Sequence, residues 1–289
     1  MKVQLQPKAI FCGIIALLVF DSCNNATDKA GTSTQDSEKT APVVAAATSS
    51  ARPVHWGYSG DVAPAKWASL STAYSACGEG KSQSPINLVS GGTGTGGGKL
   101  NFDYHSTSLK IAHHEHVDDI IDNGHTIQVT VEEGSTVAIN DKTYHLKQFH
   151  FHSPSEHTVD GKHMPLEMHM VHQSDDTKLA VVSLMFEEGA ANKNLQDIIE
   201  HLPAKPGDSK HYPDVKLDLS VHIPKDISAF HYSGSLTTPP CSEQVEWLVL
   251  RNKFQLSKDQ INAFASRLNN NNRPVQELNG RAVGTERIN

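Results

Sequence analysis

An alternating stretch over residues 142–152 (KTYHLKQFHFH) constrains the fold of this chain more than any other feature. Its period of two predicts a β-strand, because successive side chains of a strand point to opposite faces of the sheet. His150 and His152 therefore share one face with Gln148, while the neighbouring phenylalanines take the other face. Two imidazoles that lie two positions apart on one strand face can both reach a single metal ion.

A second strand-like stretch, residues 166–172 (LEMHMVH), offers a third imidazole at His169, with Glu167 on the same face. Three neutral histidines and a water are the ligand set of an open, catalytic zinc site. The chain contains 17 histidines, so a chance His-x-His pair is a fair alternative. Gln148 and Glu167 favour the metal site, because ligating histidines need an acceptor for their second ring nitrogen and a metal-free strand core has little use for such residues.

Composition and strand spacing indicate the fold class. The 289 residues include 14 prolines and 20 glycines, which is typical of a chain with many strands and loops. Short strand-like stretches follow one another over residues 109–186, and amphipathic helices are predicted at residues 194–202 and 257–268. We therefore predict a mainly β fold of the α+β class, in one domain with peripheral helices. The net charge of -7 disfavours nucleic acid as a partner.

The first 52 residues are predicted to lie outside the folded domain. Two lysines precede a twelve-residue apolar stretch, residues 9–20, which is short for a membrane span and typical of a secretory signal peptide over residues 1–22. Residues 23–52 contain almost no large apolar side chain, which predicts a disordered tether. Residues 53–289 remain as the folded domain.

The cysteines bear on the location of the protein. Cys23 follows Ser22 in an imperfect match to a bacterial lipoprotein cleavage site, which leaves a lipid anchor on Cys23 and simple secretion both open. Cys77 and Cys241 are more typical of a disulfide than of free thiols in an exported domain. We expect an exported protein, either periplasmic or lipid-anchored at the cell envelope of a bacterium, with membrane attachment only through Cys23.

The sequence also carries eight separated motifs: HWGY at 55–58, QSPI at 83–86, NGH at 123–125, QFHFH at 148–152, SEH at 155–157, EMHMVH at 167–172, SLTTPPC at 235–241 and NRP at 272–274. In this order they resemble the α-class carbonic anhydrases, in particular exported bacterial members, across nearly the whole of residues 54–289. The resemblance implies a large, mostly antiparallel, twisted β-sheet with short peripheral helices. It also implies a carbonic anhydrase (carbonate dehydratase, a zinc lyase), which hydrates carbon dioxide reversibly to bicarbonate and a proton.

The resemblance implies Zn²⁺ as the cofactor and places its ligands at the three histidines found from strand parity, His150, His152 and His169. Gln148 and Glu167 match the acceptors that orient two of these imidazoles. The implied mechanism is attack of zinc-bound hydroxide on carbon dioxide, with a histidine as proton shuttle.

The remaining roles are also implied by the resemblance. Thr237 matches the hydroxyl that accepts a hydrogen bond from the zinc-bound hydroxide, Glu156 matches the carboxylate that orients Thr237, and His125 matches the proton shuttle. The disulfide of exported members matches Cys77 and Cys241. The carbon dioxide pocket, with its apolar wall beside the zinc, falls on Val171, Val181, Leu236, Thr238, Val245 and Trp247.

Two other functions fit parts of the sequence. A catalytically silent binding protein with the same fold is disfavoured because the three candidate ligands, Thr237 and Glu156 are all present. A cupin-type oxygenase would fit the spacing of His150, His152 and Glu156, but it would use the glutamate as a ligand and place its last histidine after a Pro-x-Gly turn. Metal content separates the two enzymes, since a cupin binds iron or manganese. The expected partner is a small-molecule substrate, and a homodimer is compatible with the sequence.

Overall fold

The computed structural model describes residues 54–91, 99–114 and 125–287. The predicted signal peptide (1–22), the tether (23–52) and the lipid site at Cys23 lie outside the described residues and stay predictions. In the described part of the chain, no helix is both long enough and apolar enough to cross a membrane.

The described residues are mostly strands joined by short helices and turns. The helices are α1 (Trp67–Leu70), α2 (Ala76–Glu79), α3 (Gln196–Glu200) and α4 (Lys258–Leu268). The strands are β1 (Asn87–Leu88), β2 (Leu100–Asp103), β3 (Ser106–His114), β4 (Thr126–Thr130), β5 (Thr136–Ile139), β6 (Lys142–His152), β7 (Thr158–Val159), β8 (Lys162–His163), β9 (Leu166–Gln173), β10 (Leu179–Glu188), β11 (Ser209–Asp218), β12 (Ser228–Ser235), β13 (Glu243–Leu256) and β14 (Gly284–Arg287).

One sheet of eleven strands organises the described residues, and β1, β7 and β8 form a second, small sheet. The main order is β11-β3-β4-β6-β9-β10-β13-β12-β14, with β5 on β6 and β2 on β5. The pairing of β10 with β13 is parallel and the other described pairs of the large sheet are antiparallel. The predicted mainly β fold is therefore confirmed, with a sheet that is mixed although mostly antiparallel.

The two faces of β6 carry different chemistry. Phe149 and Phe151 are fully buried in the larger apolar core, where the ring of Phe151 lies 4.5 Å from that of Phe264 on α4. His150 and His152 point to the opposite face, as the period of two predicts. One strand therefore anchors the sheet on its helix and presents histidines on its other side.

The sequence predicted helix α4 accurately but did not predict the edge strand β11. The side chain of Ser257 accepts from the amide of Gln260, and the side chain of Gln260 accepts from the amide of Ser257, so α4 begins with a capping box at the residue where the helix was predicted to start. The helix expected over residues 194–202 is present as a 3-10 turn, Lys193–Leu195, that continues directly into α3 and ends two residues earlier than expected, at Glu200. Strand β11 gave no alternating signal because it is an edge strand whose residues are mostly exposed, with Pro213 in the middle.

Candidate metal centre

The register of β6 and β9 brings the three predicted metal ligands together. His150 lies directly opposite His169, and His152 lies opposite Glu167. The histidine side chains are buried, and one ring nitrogen from each of the three lies within 4.8 Å of the others. Adjacent antiparallel strands thus converge three imidazoles on one point.

Each of these imidazoles donates a hydrogen bond to an oxygen that can only accept. His150 Nδ1 donates to Gln148 Oε1 (2.8 Å), His152 Nδ1 to the Asn271 carbonyl (2.6 Å), and His169 Nε2 to Glu167 Oε1 (2.8 Å). The proton on each donating nitrogen leaves a lone pair on the other, namely Nε2 of His150, Nε2 of His152 and Nδ1 of His169.

The donor set fits a zinc ion. Among the described residues, His152 Nε2 is buried without a hydrogen-bond partner, which is costly unless something else binds it. Zinc prefers imidazole nitrogen, and three histidines leave the fourth tetrahedral position open. The sequence did not predict Asn271, because a main-chain carbonyl has no signature in residue type.

Burial keeps the three imidazoles neutral. It lowers the pKa of His150 well below 6.5, with further lowering from His152 and His169. Burial also lowers the pKa of His152 to about 4 and lowers that of His169. Metal ligation requires neutral imidazole, so the protonation state matches the ligand role.

Glu167 is the centre of a second network of hydrogen bonds. Its Oε1 accepts from His169, from His157 Nδ1 (2.7 Å) and from the Ser183 hydroxyl (2.5 Å), and its Oε2 accepts from the backbone amides of Glu156 and His157. Burial alone would raise the pKa of Glu167, but His157 and His169 outweigh it and hold the pKa well below its usual range. Because these contacts are short hydrogen bonds, we interpret the cluster of His157, Glu167 and His169 as support for the ligands.

The network extends away from the candidate ligands and fixes the tautomer of His157. With its Nδ1 proton donated to Glu167, His157 accepts at Nε2 from the Tyr232 hydroxyl (2.7 Å). Tyr232 in turn accepts from the Ser84 hydroxyl (2.8 Å). Ser84 and His157 belong to two of the motifs named above, but the sequence did not predict this hydrogen-bond network, because its members come from distant parts of the chain.

Glu156 lies beside the imidazoles, and buried Thr237 interacts with Glu156. Glu156 Oε1 accepts the amide of Arg273 (2.9 Å), and Glu156 Oε2 is 3.7 Å from His152 Nε2, with no hydrogen-bond partner among the described residues. Burial raises the pKa of Glu156 to about 7, while His169, Arg273 and Thr237 pull it down. A cation on the three imidazoles would lower it further.

The predicted apolar wall also assembles next to the imidazoles. In the strand register, Val181 lies opposite Val171 on β9 and opposite Trp247 on β13. The ring of Trp247 is 4.9 Å from that of His169. Four of the predicted wall residues belong to one apolar cluster, namely Val171, Val181, Val245 and Trp247. Leu236 is partly buried against this cluster, and Thr238, which follows Thr237 in the chain, is buried.

His125 is half-buried. It comes immediately before β4, and its Nε2 donates to the Trp56 carbonyl (2.7 Å). The ring borders a cavity of about 450 Å³ that His55 also lines. Asn271 connects His125 to the ligands, since its side chain donates to the His125 carbonyl (3.1 Å) and its own carbonyl accepts from His152.

The predicted disulfide is present. Cys77 of α2 is bonded to Cys241, with 5.0 Å between the Cα atoms. Cys241 follows the cis peptide between Pro239 and Pro240, in the loop that carries Thr237. The bond thereby ties that loop to the amino-terminal part of the domain.

Comparisons with known proteins agree on one family. Residues 62–287 match the model of the eukaryotic-type carbonic anhydrases. A carbonic anhydrase of Pectobacterium atrosepticum is 42% identical over 233 residues, which is 80% of this chain and 90% of that protein. The α-carbonic anhydrase of Thermovibrio ammonificans, solved with sulfanilamide, superposes with a TM-score of 0.74 at 37% identity, over 80% of this chain and 99% of that one. A dioscorin solved with ascorbate gives 0.71 at 30% identity, over 81% and 98%.

Proposed function

Because the chain belongs to the eukaryotic-type carbonic anhydrase family, we propose that it hydrates carbon dioxide reversibly at a zinc ion held by His150, His152 and His169. The observation that carries the proposal is the convergence of three buried imidazoles, each of which donates its single ring N–H to a fixed oxygen and keeps a lone pair on its other nitrogen. When bound, zinc supplies a Lewis acid that lowers the pKa of coordinated water to about 7, the known value for carbonic anhydrase and not one obtained from this structure.

Glu156 and Thr237 would orient the reacting oxygen. Glu156 Oε2, which has no other hydrogen-bond partner among the described residues, can accept the hydrogen bond of the Thr237 hydroxyl, and the interaction with Thr237 lowers the pKa of Glu156. With its proton committed to Glu156, the Thr237 oxygen is left as an acceptor. Such an arrangement selects one orientation of a nucleophile that carries a proton.

The apolar wall would hold the substrate. Carbon dioxide is small, uncharged and apolar, so it requires hydrophobic contacts and no basic side chain. Val171, Val181 and Trp247 supply such contacts next to His169. Thr238, Val245 and Leu236 complete the proposed pocket at the same end of the sheet.

His125 would carry the product proton to buffer. Imidazole is the side chain best suited to proton transfer near neutral pH, and the ring of His125 borders a cavity. Asn271 keeps this histidine at a fixed place relative to His152, because its side chain donates to the His125 carbonyl and its own carbonyl accepts from His152.

The protein is proposed to work outside the cytoplasm. Disulfides such as Cys77–Cys241 persist in oxidising compartments, and several relatives are bacterial carbonic anhydrases. Export through residues 1–22, a lipid on Cys23 and a homodimer are parts of the proposal that rest on sequence alone.

The decisive experiment is stopped-flow hydration of carbon dioxide by the purified, oxidised protein. We expect fast hydration with one bound zinc per chain, loss of activity on chelation, and recovery when zinc is added back. Absence of activity with one zinc bound would contradict catalysis and favour a silent relative. Iron or manganese in place of zinc would instead favour the oxygenase alternative.

A further inference from the structure

We infer that Ser183 is a positioning residue of the metal centre, whose hydroxyl holds Glu167 Oε1 where it accepts the Nε2 proton of His169. The inference rests on the proposed zinc site, because it assigns Ser183 a function only if His169 is a ligand. Ser183 is not part of any motif that carries the family resemblance.

The register of the sheet places Ser183 next to the ligand. Ser183 on β10 lies directly opposite His169 on β9, and both side chains are buried. The Ser183 hydroxyl lies 2.5 Å from Glu167 Oε1, the oxygen that His169 also approaches at 2.8 Å. A serine hydroxyl in a strand often bonds to nearby backbone, but here it bonds to the buried carboxylate of the next strand.

Without Ser183, the two oxygens of the Glu167 carboxylate would be held by different kinds of donor, rigid backbone amides at Oε2 and side-chain imidazoles at Oε1. The backbone amides of Glu156 and His157 fix Oε2, at 2.7 and 2.9 Å. Oε1 is held by two imidazoles, His157 and His169, and His169 is the group that needs to be oriented. The Ser183 hydroxyl adds a fixed donor from the β10 side, and hydrogen bonds to a charged acceptor are stronger than neutral ones.

A well-placed acceptor raises the basicity of the imidazole to which it is bonded, and it thereby strengthens the bond from the opposite nitrogen to the metal. Removal of the Ser183 hydroxyl should therefore have two linked effects. Zinc should leave faster, and the metal should become a stronger Lewis acid, which moves the midpoint of the pH profile of hydration to lower pH. If Ser183 only competed with His169 for the electrons of Oε1, both effects would have the opposite sign.

The test compares Ser183→Ala with Ser135→Ala, a buried serine that bonds to the backbone of His105 on the β5 side of the sheet. Zinc release is followed with a chromogenic chelator, the apoproteins are melted, and hydration is measured against pH. For Ser183→Ala we expect zinc release about tenfold faster than in the wild type and a lower pH midpoint. Apoprotein melting should match that of Ser135→Ala, and Ser135→Ala should release zinc at the wild-type rate.

A second variant, Ser183→Thr, keeps a hydroxyl on the same strand face and should release zinc more slowly than Ser183→Ala. Unchanged or slower zinc release in Ser183→Ala would overturn the inference, as would faster release without a shift of the midpoint, which indicates general loosening. A wild-type protein that binds no zinc would contradict the proposed function itself. The outcomes for the two proposals are therefore distinguishable.

Discussion

The three imidazoles of the candidate metal centre and the imidazole of His231 belong to the same sheet, but their surroundings shift their pKa in opposite directions. His231 on β12 lies between two carboxylates, with Nε2 2.8 Å from Glu246 and Nδ1 3.3 Å from Glu286. The hydrogen bond to Glu246 raises the pKa of His231 against the effect of burial. At the metal centre burial dominates and lowers the pKa of all three histidines.

The difference teaches what an acceptor does to a histidine. Gln148 and the Asn271 carbonyl are neutral, so each accepts one hydrogen bond and leaves a lone pair on the second nitrogen of its histidine. His169 does donate to a carboxylate, Glu167, but burial outweighs that carboxylate and still lowers its pKa. Two carboxylates on one ring stabilise the doubly protonated cation instead. The same residue type can thus serve as a metal ligand or as a cation that ties strands together.

The largest expected effect comes from removing a ligand. His152→Ala should lose stoichiometric zinc and hydration activity, because two imidazoles remain where three converge. The loss of affinity should exceed the roughly 10- to 100-fold that loss of an outer partner costs. His231→Ala is the matched control and should retain one zinc per chain by metal analysis. Equal zinc contents in the two variants would show that His152 is not a metal ligand.

A second substitution disables the centre without changing its imidazoles. Thr237→Val keeps the shape of the side chain but removes the hydroxyl that is proposed to orient the nucleophile. We expect kcat/KM for hydration to fall about 100-fold, by analogy with loss of one oriented hydrogen-bond group, with zinc content unchanged. A variant with wild-type kinetics would exclude an orienting role for Thr237.

His125 offers a third environment, half-buried and bonded to a carbonyl. His125→Ala should lower kcat in dilute buffer by up to about 100-fold and leave kcat/KM unchanged, because proton release follows the chemical step. Added imidazole should restore kcat. Failure of the rescue, together with a fall in kcat/KM, would assign His125 a structural role.

The smallest effect concerns stability at the His231 side. A raised pKa means that the contribution of His231 is complete below its ordinary pKa of 6.5 and is lost as the pH rises through the higher folded value. His231→Gln should lower the free energy of unfolding by about 1 kcal/mol at pH 6, with the difference shrinking at higher pH. Denaturant unfolding at several pH values measures it, with His145→Gln as the control, since His145 pairs with the exposed Asp175. A difference that is independent of pH would contradict the cationic interpretation.

The sequence predicted those parts of the molecule that depend on local periodicity. Strand parity put His150 and His152 on one face because the strand period is two wherever the strand lies. Parity also put the acceptor Gln148 on that face, but it could not predict the Asn271 carbonyl, which comes from the segment after α4, or the Ser183 hydroxyl, which reaches Glu167 through the register of β10 with β9. The sequence also did not predict that His231 lies between two carboxylates, because Glu246 and Glu286 come from the neighbouring strands β13 and β14.

The bond from His152 to the Asn271 carbonyl also bears on when the protein can acquire its metal. The two residues are 119 positions apart, and Asn271 lies beyond α4 near the end of the chain. As the polypeptide is synthesised, all three histidines therefore emerge long before the acceptor that orients one of them. Under the proposed function, zinc loading is then a late event that marks a completed fold, and a prematurely terminated chain would contain every candidate ligand yet lack the finished site.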